Sequence, residues 1–276
     1  MRDYSIETRR RVEFIRGLLI STGARGIVFG NSGGKDSALV GILCKSACED
    51  TLGLIMPCGP RRNYEEDRDD AILLAEKYGI ESRTIDLSEP AKIMRLSIGK
   101  VTEVTDTAAA NIAPRLRMTA LYAVAGNEGR LVAGTGNCSE RYMGYFTKWG
   151  DGAFDFNPIA DLTATEVFAF LKHLGAPKSI IEKVPSAGLF DGQTDEGDMG
   201  VTYKNIDKFI TTGECSLKDM EIINRFHRNS EHKRKPAILY GYGDKNVDRN
   251  GDRNGDRNGD RNGDRNGDRN GDKNNA

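Results

Sequence analysis

The chain has 276 residues, enough for one large domain or two small ones, and 38% of them are hydrophobic. Its formal net charge of −1 gives no long-range attraction to nucleic acid or to a membrane surface. Apolar runs are too short for a membrane helix, and the first residues lack the apolar core of a signal peptide. We therefore expect a cytoplasmic protein that binds neither nucleic acid nor membranes.

Apolar periodicity predicts alternating helices and strands along most of the chain. The predicted helices span residues 6–20, 36–48, 65–78, 108–125, 166–174, 203–210 and 217–229, and the predicted strands span 26–29, 51–56, 82–87 and 130–133. This order favours an α/β fold, namely a doubly wound, mostly parallel, Rossmann-like sheet flanked by helices. The turns after the first and fourth strands should then face one crevice at the carboxyl ends of the strands.

Two later segments are predicted to lack regular structure. Residues 188–200 are rich in glycine and acidic side chains, which is typical of a mobile loop and, in an enzyme, of a lid. From residue 248 to 271 the tetrapeptide Asp-Arg-Asn-Gly repeats without an apolar side chain, so it cannot bury a core. We therefore predict a folded domain over 1–243 and a disordered C-terminal repeat tail over 244–276.

The most informative segment is the turn of residues 32–37, Ser-Gly-Gly-Lys-Asp-Ser, between the first predicted strand and the next helix. Free N–H groups at a helix start suit a phosphate chain, and the glycines let phosphate oxygens approach the backbone. Asp36 can supply an oxygen ligand for magnesium. The turn is not a P-loop, because Phe29 stands at the first glycine position. Nor is it the dinucleotide fingerprint, because Ser32 replaces the second glycine.

This turn resembles the pyrophosphate loop of the N-type ATP pyrophosphatases, which cleave ATP between its α- and β-phosphates. Further segments are similar to those of one family, the ammonia-dependent NAD synthetases: residues 111–118, 134–140, 144–155, 185–187, 192–196 and 231–234. The similarity extends from the first helix to about Ala237 and leaves the repeat outside. It implies that the carboxylate of deamido-NAD attacks the α-phosphate of ATP. Pyrophosphate then leaves, and ammonia displaces AMP to give the amide of NAD.

The resemblance also implies roles for individual residues. It implies that Asp36 and Glu140 bind Mg²⁺, as hard oxygen ligands on two crevice loops. It implies that ATP, the co-substrate, is bound by Gly30, Asn31, Ser32, Gly33, Gly34, Lys35, Asp36, Ser37, Thr135 and Ser186. It implies that deamido-NAD is bound by Arg115, Lys148, Asp155, His232 and Lys233. Finally, it implies a homodimer with substrate bound across the subunit boundary.

One position departs from the family pattern. Many members place a lysine that helps to hold ATP directly after a Leu-Thr pair, where this chain has Ala164. That contact cannot be carried over to this chain. Lys183, which precedes the 185–187 segment, is the candidate substitute on sequence position alone.

Two alternatives remain open at this point. The chain could be another N-type ATP pyrophosphatase, either GMP-synthetase-like or tRNA-modifying, or it could be a catalytically silent nucleotide-binding or scaffold protein. Intact Asp36 and Glu140 argue against a silent protein. The sequence identifies neither a catalytic residue nor a general base that would deprotonate ammonium.

Overall fold

The computed structural model describes residues 2–59, 65–186 and 194–240. The helices are α1 (Tyr4–Thr22), α2 (Lys35–Ala47), α3 (Glu66–Tyr78), α4 (Ser88–Gly99), α5 (Asp106–Ala110), α6 (Ile112–Glu128), α7 (Cys138–Met143), α8 (Ala164–Leu174), α9 (Lys178–Glu182), α10 (Asp195–Met199), α11 (Tyr203–Thr212), α12 (Leu217–Asn229) and α13 (Glu231–Arg234). The strands are β1 (Gly26–Gly30), β2 (Thr51–Ile55), β3 (Glu81–Thr84) and β4 (Arg130–Ala133).

The four strands form one parallel sheet in the order β3-β2-β1-β4. At its centre, Val28 of β1 lies opposite Leu52 of β2 on one side and Val132 of β4 on the other. The direction of winding changes between β1 and β4, which are adjacent in the sheet but distant in sequence. In such sheets the crevice for a ligand opens at this switch point.

Alternate residues of β1 pack against helices on opposite faces of the sheet, as the two-residue period of a strand requires. Ile27 and Phe29 belong to a buried cluster with α1, α2 and α8, whereas Val28 belongs to a second cluster with α6. Helices therefore cover both faces, and the predicted doubly wound α/β fold is confirmed. A third cluster, formed largely by α7, α11 and α12, extends the core beyond the sheet.

Several predicted boundaries were wrong. The helix predicted over 108–125 is divided into α5 and α6 at Asn111, whose side chain bonds the carbonyl of Thr107. The strand predicted over 82–87 is only Glu81–Thr84, and α4, which was not predicted, follows it closely. Helix α4 carries apolar side chains but buries none of its residues in the core of this chain.

The predicted mobile loop at 188–200 was wrong for the part that the structure describes. Residues 195–199 form α10, where the Thr194 hydroxyl caps the amide of Gly197 at 3.2 Å, and where Asp195 and Met199 are buried. Residues 187–193 lie outside the described residues.

The chain divides into two units, Met1–Lys235 and Pro236–Ala276. The predicted boundary at residue 243 and the predicted disorder of the tail lie outside the described residues. Among the helices that the structure describes, none is long and apolar enough to cross a membrane.

Candidate active site

The first turn of the site connects β1 to the start of α2. Gly34, with an extended backbone, is the N-cap residue of α2 and makes no side-chain capping bond, while its own amide donates to Ser32 Oγ at 3.4 Å. Gly33 has φ of 71°, and a Cβ at this position would lie 2.1 Å from the carbonyl oxygen of Asp67. Only glycine therefore permits this turn, which presents the open N-terminal end of α2.

The second turn connects β4 to α7. Gly134 comes directly after β4, and a Cβ there would lie 2.4 Å from the ring of Phe154, so the backbone must pass close to that ring. Asn137 caps α7 through a reciprocal pair of bonds. Its side-chain Oδ1 accepts from the backbone amide of Glu140 at 3.0 Å, and its backbone amide donates to Glu140 Oε2 at 3.1 Å. This capping box fixes the Glu140 carboxylate.

The two turns meet through Asp36. Asn137 Nδ2 donates to Asp36 Oδ1 at 2.9 Å, which joins the second turn to the first. Lys35 Nζ donates to Asp36 Oδ2 at 2.6 Å and lies 3.8 Å from Glu140 Oε1. The structure therefore brings Asp36 and Glu140 to the two sides of one ammonium group, at the carboxyl ends of adjacent strands.

Lys35 is a buried cation, with 6% of its surface exposed. Its Nζ lies 5.7 Å from the ring centre of Phe168 and 5.3 Å from that of Tyr203. Burial opposes the charged form, but the carboxylates of Asp36 and then Glu140 outweigh it, so the pKa of Lys35 is above its ordinary value. The lysine is therefore held as an ammonium ion.

For Glu140, unlike Lys35, the surroundings favour the uncharged form. Burial and then the nearby charge of Asp36 raise the pKa of Glu140 well above its ordinary value, although Lys35 and the amide of Asn137 oppose that rise. A third carboxylate, Asp195, accepts a hydrogen bond from the Tyr203 hydroxyl at 2.9 Å and adds to the same negative field. The site carries excess negative charge, as a site that attracts a further cation should.

These carboxylates suit a Mg²⁺ site that substrate phosphates and water complete. Among residues 2–59, 65–186 and 194–240, no group of three or more His, Cys, Asp and Glu side chains could hold a metal ion. Mg²⁺ is usually bound by one or two carboxylates together with water and substrate phosphates, rather than by an all-protein cage. The Asp36–Glu140 pair, beside a turn suited to phosphate, has that composition.

A cleft of about 870 Å³ opens at the two turns. Of the residues predicted to bind ATP, its lining includes Gly30, Asn31, Ser32, Gly34, Lys35, Asp36, Ser37, Thr135 and Ser186. Gly33 lies within the same turn but is buried beneath it, against α3. The same cleft is also lined by Phe146 and Lys233. Its volume is that of a nucleotide-sized ligand site.

Four of the five residues predicted to bind deamido-NAD lie outside the lining of this cleft, and all four are in the described part of the chain. Three of them are linked on the surface. Arg115 Nη2 donates to the carbonyl of Lys148 at 3.4 Å, and Lys148 Nζ donates to the carbonyl of His232 at 2.8 Å. The fifth, Lys233, lines the cleft and donates to the carbonyls of Gly144 and Phe146, both at 2.8 Å.

Asp155 is the fourth of these outer residues, and it bonds to the sheet. One of its oxygens accepts from the amide of Val132 at 2.8 Å, and the other accepts from the Tyr122 hydroxyl at 3.1 Å. Burial and then the charge of Asp155 raise the pKa of Tyr122 to about 12. In this structure Asp155 joins β4 to α6.

Ala164, which stands where many family members have a lysine, is part of the hydrophobic core. It is fully buried in the third cluster, and its amide donates to Ser139 Oγ at 3.0 Å. Lys183 instead lies beside the first turn, where its Nζ donates to the carbonyl of Gly33 at 3.4 Å. It is also paired with Asp67 at 2.8 Å and with Asp70 at 2.7 Å. The candidate substitute is therefore close to the phosphate turn, although two carboxylates share its charge.

Three residues at the centre of the site were not predicted. Asn137 could have been found, because an Asn followed by Glu three residues later is the pattern of a capping box. Asp195 and Tyr203 have no local pattern that distinguishes them from other polar residues. They enter the site only because α10 and α11 pack beside the turns.

The profile of the NAD synthase family matches residues 7–237. The chain belongs to that family. It is 46% identical to an NH(3)-dependent NAD(+) synthetase of Carboxydothermus hydrogenoformans over 83% of this chain and 94% of the relative. It is 44% identical to the Archaeoglobus fulgidus enzyme of the same name, over 82% of this chain and 92% of that one. The predicted kinship with ammonia-dependent NAD synthetases is confirmed.

Two solved structures of the NAD synthase fold are similar to this one. An NMN synthetase from Francisella tularensis has a TM-score of 0.81 and 38% identity, covering 88% of this chain and all of that chain (100%). An NH3-dependent NAD synthetase from Campylobacter jejuni, in complex with a nitrate ion, has a TM-score of 0.69 and 30% identity. The match covers 86% of this chain and 100% of that one.

Proposed function

We propose that this chain makes NAD by amidating deamido-NAD with ATP and ammonia, and that it releases AMP and pyrophosphate. The observation that carries the proposal is the junction of the two turns, where Asn137 bonds to both Asp36 and Glu140. This junction combines a phosphate-binding helix start with a pair of hard oxygen ligands. The relatives that carry the name NH(3)-dependent NAD(+) synthetase support the same assignment.

The reaction requires that the site stabilise the departing pyrophosphate. We assign this task to the turn of residues 30–37, whose backbone donors and helix dipole favour negative charge. Thr135 and Ser186 add hydroxyl donors along the cleft. Mg²⁺, held by Asp36 and Glu140, would neutralise charge on the phosphates. Together these groups lower the barrier to attack on the α-phosphate by keeping the leaving group stabilised in place.

We assign deamido-NAD to the far end of the cleft. Lys233 at the cleft wall and the surface group of Arg115, Lys148 and His232 provide cations for a diphosphate and a carboxylate. Asp155 remains a proposed ligand for ribose hydroxyls, although its two oxygens already have partners in this structure.

We also propose a homodimer. Helix α4 buries none of its residues, and Ile93 and Leu96 on it are about 60% exposed (60% and 61%). It packs on α6, the helix that carries Arg115. Paired apolar helices at this surface would bring a second subunit close to the exposed end of the substrate site. A cytoplasmic location remains a prediction from the sequence.

A second candidate has the same chemistry with a smaller acceptor, so that the product is the mononucleotide NMN. It is favoured by the TM-score of 0.81 to the Francisella NMN synthetase, against 0.69 to the Campylobacter NAD synthetase. The two candidates share the ATP site and differ only at the exposed end of the cleft.

The test is release of AMP and pyrophosphate with ATP, Mg²⁺ and ammonium, with each acceptor supplied separately. We expect turnover with deamido-NAD, formation of NAD, and a lower kcat/KM with the deamidated mononucleotide. A higher kcat/KM with the mononucleotide would favour the second candidate. AMP release with neither, but with a purine nucleotide or tRNA as acceptor, would contradict both.

A further inference from the structure

The centre of the site contains a closed ring of polar contacts among Lys35, Asp36, Asn137 and Glu140. Asn137 donates to one oxygen of each carboxylate: its side-chain Nδ2 to Asp36 Oδ1 at 2.9 Å, and its backbone amide to Glu140 Oε2 at 3.1 Å. Lys35 faces the other oxygen of each, at 2.6 Å and 3.8 Å. All four carboxylate oxygens of the proposed metal site therefore already face a protein donor.

A metal ion needs at least one of these oxygens, and the two donors differ in how readily they can leave. Asn137 is completely buried, one of its two donors is a backbone amide, and its Oδ1 also caps α7. Lys35 has a long side chain with rotatable bonds, and the described residues hold its Nζ by charge, one short hydrogen bond and two aromatic faces. Of the two donors, the lysine is the one that can give way.

The position of Lys35 in the fold is also unfavourable for a positive charge. It is the first residue of α2, where the positive end of the helix dipole disfavours a cation, and it is buried. A buried ammonium persists only when it is paired, and its partners here are the two proposed metal ligands. The packing on Phe168 and Tyr203 directs the side chain away from water and towards those carboxylates.

We propose that Lys35 is a built-in counter-ion of the Asp36–Glu140 pair. In the free enzyme its ammonium group faces the carboxylate oxygens that would hold Mg²⁺, so that Mg²⁺ alone would bind weakly. Phosphate oxygens of bound ATP would offer the ammonium group new partners and leave Asp36 and Glu140 available to hold the metal. This inference rests on the proposed function for the identity of the ligands.

The experiment measures binding of Mn²⁺, as a spectroscopic probe for Mg²⁺, to the enzyme without substrates by electron paramagnetic resonance. We expect Lys35→Met to tighten the dissociation constant at least about tenfold, because it removes a positive charge in direct contact with the ligands. The methionine keeps an unbranched chain between the two rings. Lys35→Arg, which keeps the charge, should leave the affinity close to that of the wild type.

Lys233→Met is the matched control. It removes one ammonium group from the same cleft, but that group is bonded to the carbonyls of Gly144 and Phe146 rather than to a carboxylate. We expect it to change Mn²⁺ affinity by less than about twofold, since its charge is not in contact with the metal ligands. If Lys35→Met does not fold, Lys35→Gln replaces it, because the amide is uncharged and still donates a hydrogen bond.

A second measurement uses a nonhydrolysable ATP analogue. The analogue should increase the Mn²⁺ affinity of the wild type by a larger factor than that of Lys35→Met, because only the wild type has an ammonium group to transfer. Unchanged or weaker Mn²⁺ binding by the free variant would overturn the proposal, even if the enzyme makes NAD. Absence of AMP release from the wild type would instead count against the proposed function and leave the metal affinities as measured.

Discussion

The residues predicted to bind ATP and those predicted to bind deamido-NAD are held differently. Asp36 and Glu140 lie on two turns from adjacent strands and are joined by short polar contacts around Lys35. Arg115 and His232 are exposed outside the lining of the cleft, and their group is joined through backbone carbonyls. The difference indicates that one chain pre-organises the proposed ATP site, whereas in our proposal the acceptor site is completed by the substrate and by a second subunit.

The largest effect is expected at the phosphate end. Asp36→Asn and Glu140→Gln should each lower turnover at least about a hundredfold, because they remove charge that stabilises the metal and the departing pyrophosphate. AMP release under saturating substrates measures this. Glu76→Gln, at an exposed position of α3, is the control and should keep wild-type turnover. Near-normal rates in both site variants would show that the metal assignment is wrong.

The next effect concerns Lys183, the candidate substitute for the family lysine that Ala164 replaces. Lys183→Ala should raise the KM for ATP well beyond about tenfold, since it removes the ammonium group beside Gly33 and leaves the charges of Asp67 and Asp70 without that cation near the phosphates. Lys172→Ala, on the exposed side of α8, serves as control. An unchanged KM for ATP would exclude Lys183 as the substitute.

A smaller effect should distinguish the acceptor end. Arg115→Ala should raise the KM for deamido-NAD about tenfold and leave the KM for ATP unchanged, because a charge-assisted bond at an exposed site is partly screened by water. Initial rates over a grid of both substrates measure the two constants. Equal increases in both constants would mean that the two ends of the cleft do not act as separate sites.

The smallest effect concerns the tail. A chain that ends before Asp248 should keep its turnover and its melting temperature, because the Asp-Arg-Asn-Gly repeat has no apolar side chain with which to pack. A thermal melt and the AMP assay on the shortened chain measure this. A clear loss in either would show that the repeat binds to the enzyme or to its substrates.

The sheet and its switch point were predictable because short apolar strands and amphipathic helices carry periodic patterns. The turn at 32–37, with Asp36, was predictable because it lies between a strand and a helix start, whereas Glu140 was predicted from the resemblance to the family. Residues that reach the site through tertiary packing were not. Tyr203 lies on a helix that packs beside α7 and α8, and Asp195 lies in a segment whose composition predicted a loop.

The division of α5 from α6 had one local signal that apolar periodicity does not register, namely Pro114, which lies in the first turn of α6. Both segments are rich in residues that favour helix, and the break at Asn111 depends on polar contacts. Its Nδ2 bonds the carbonyl of Thr107, and its Oδ1 accepts from the Thr147 hydroxyl at 2.6 Å. Because Thr147 is distant in sequence, such a contact cannot be found from periodicity alone.

The most direct test of the central claim is a crystal structure with a nonhydrolysable ATP analogue and Mg²⁺. We predict that the triphosphate lies along residues 32–37, with the metal bound by Asp36 and Glu140 and with the ammonium group of Lys35 moved towards phosphate oxygens. A nucleotide bound elsewhere, or a metal coordinated by neither carboxylate, would contradict the account.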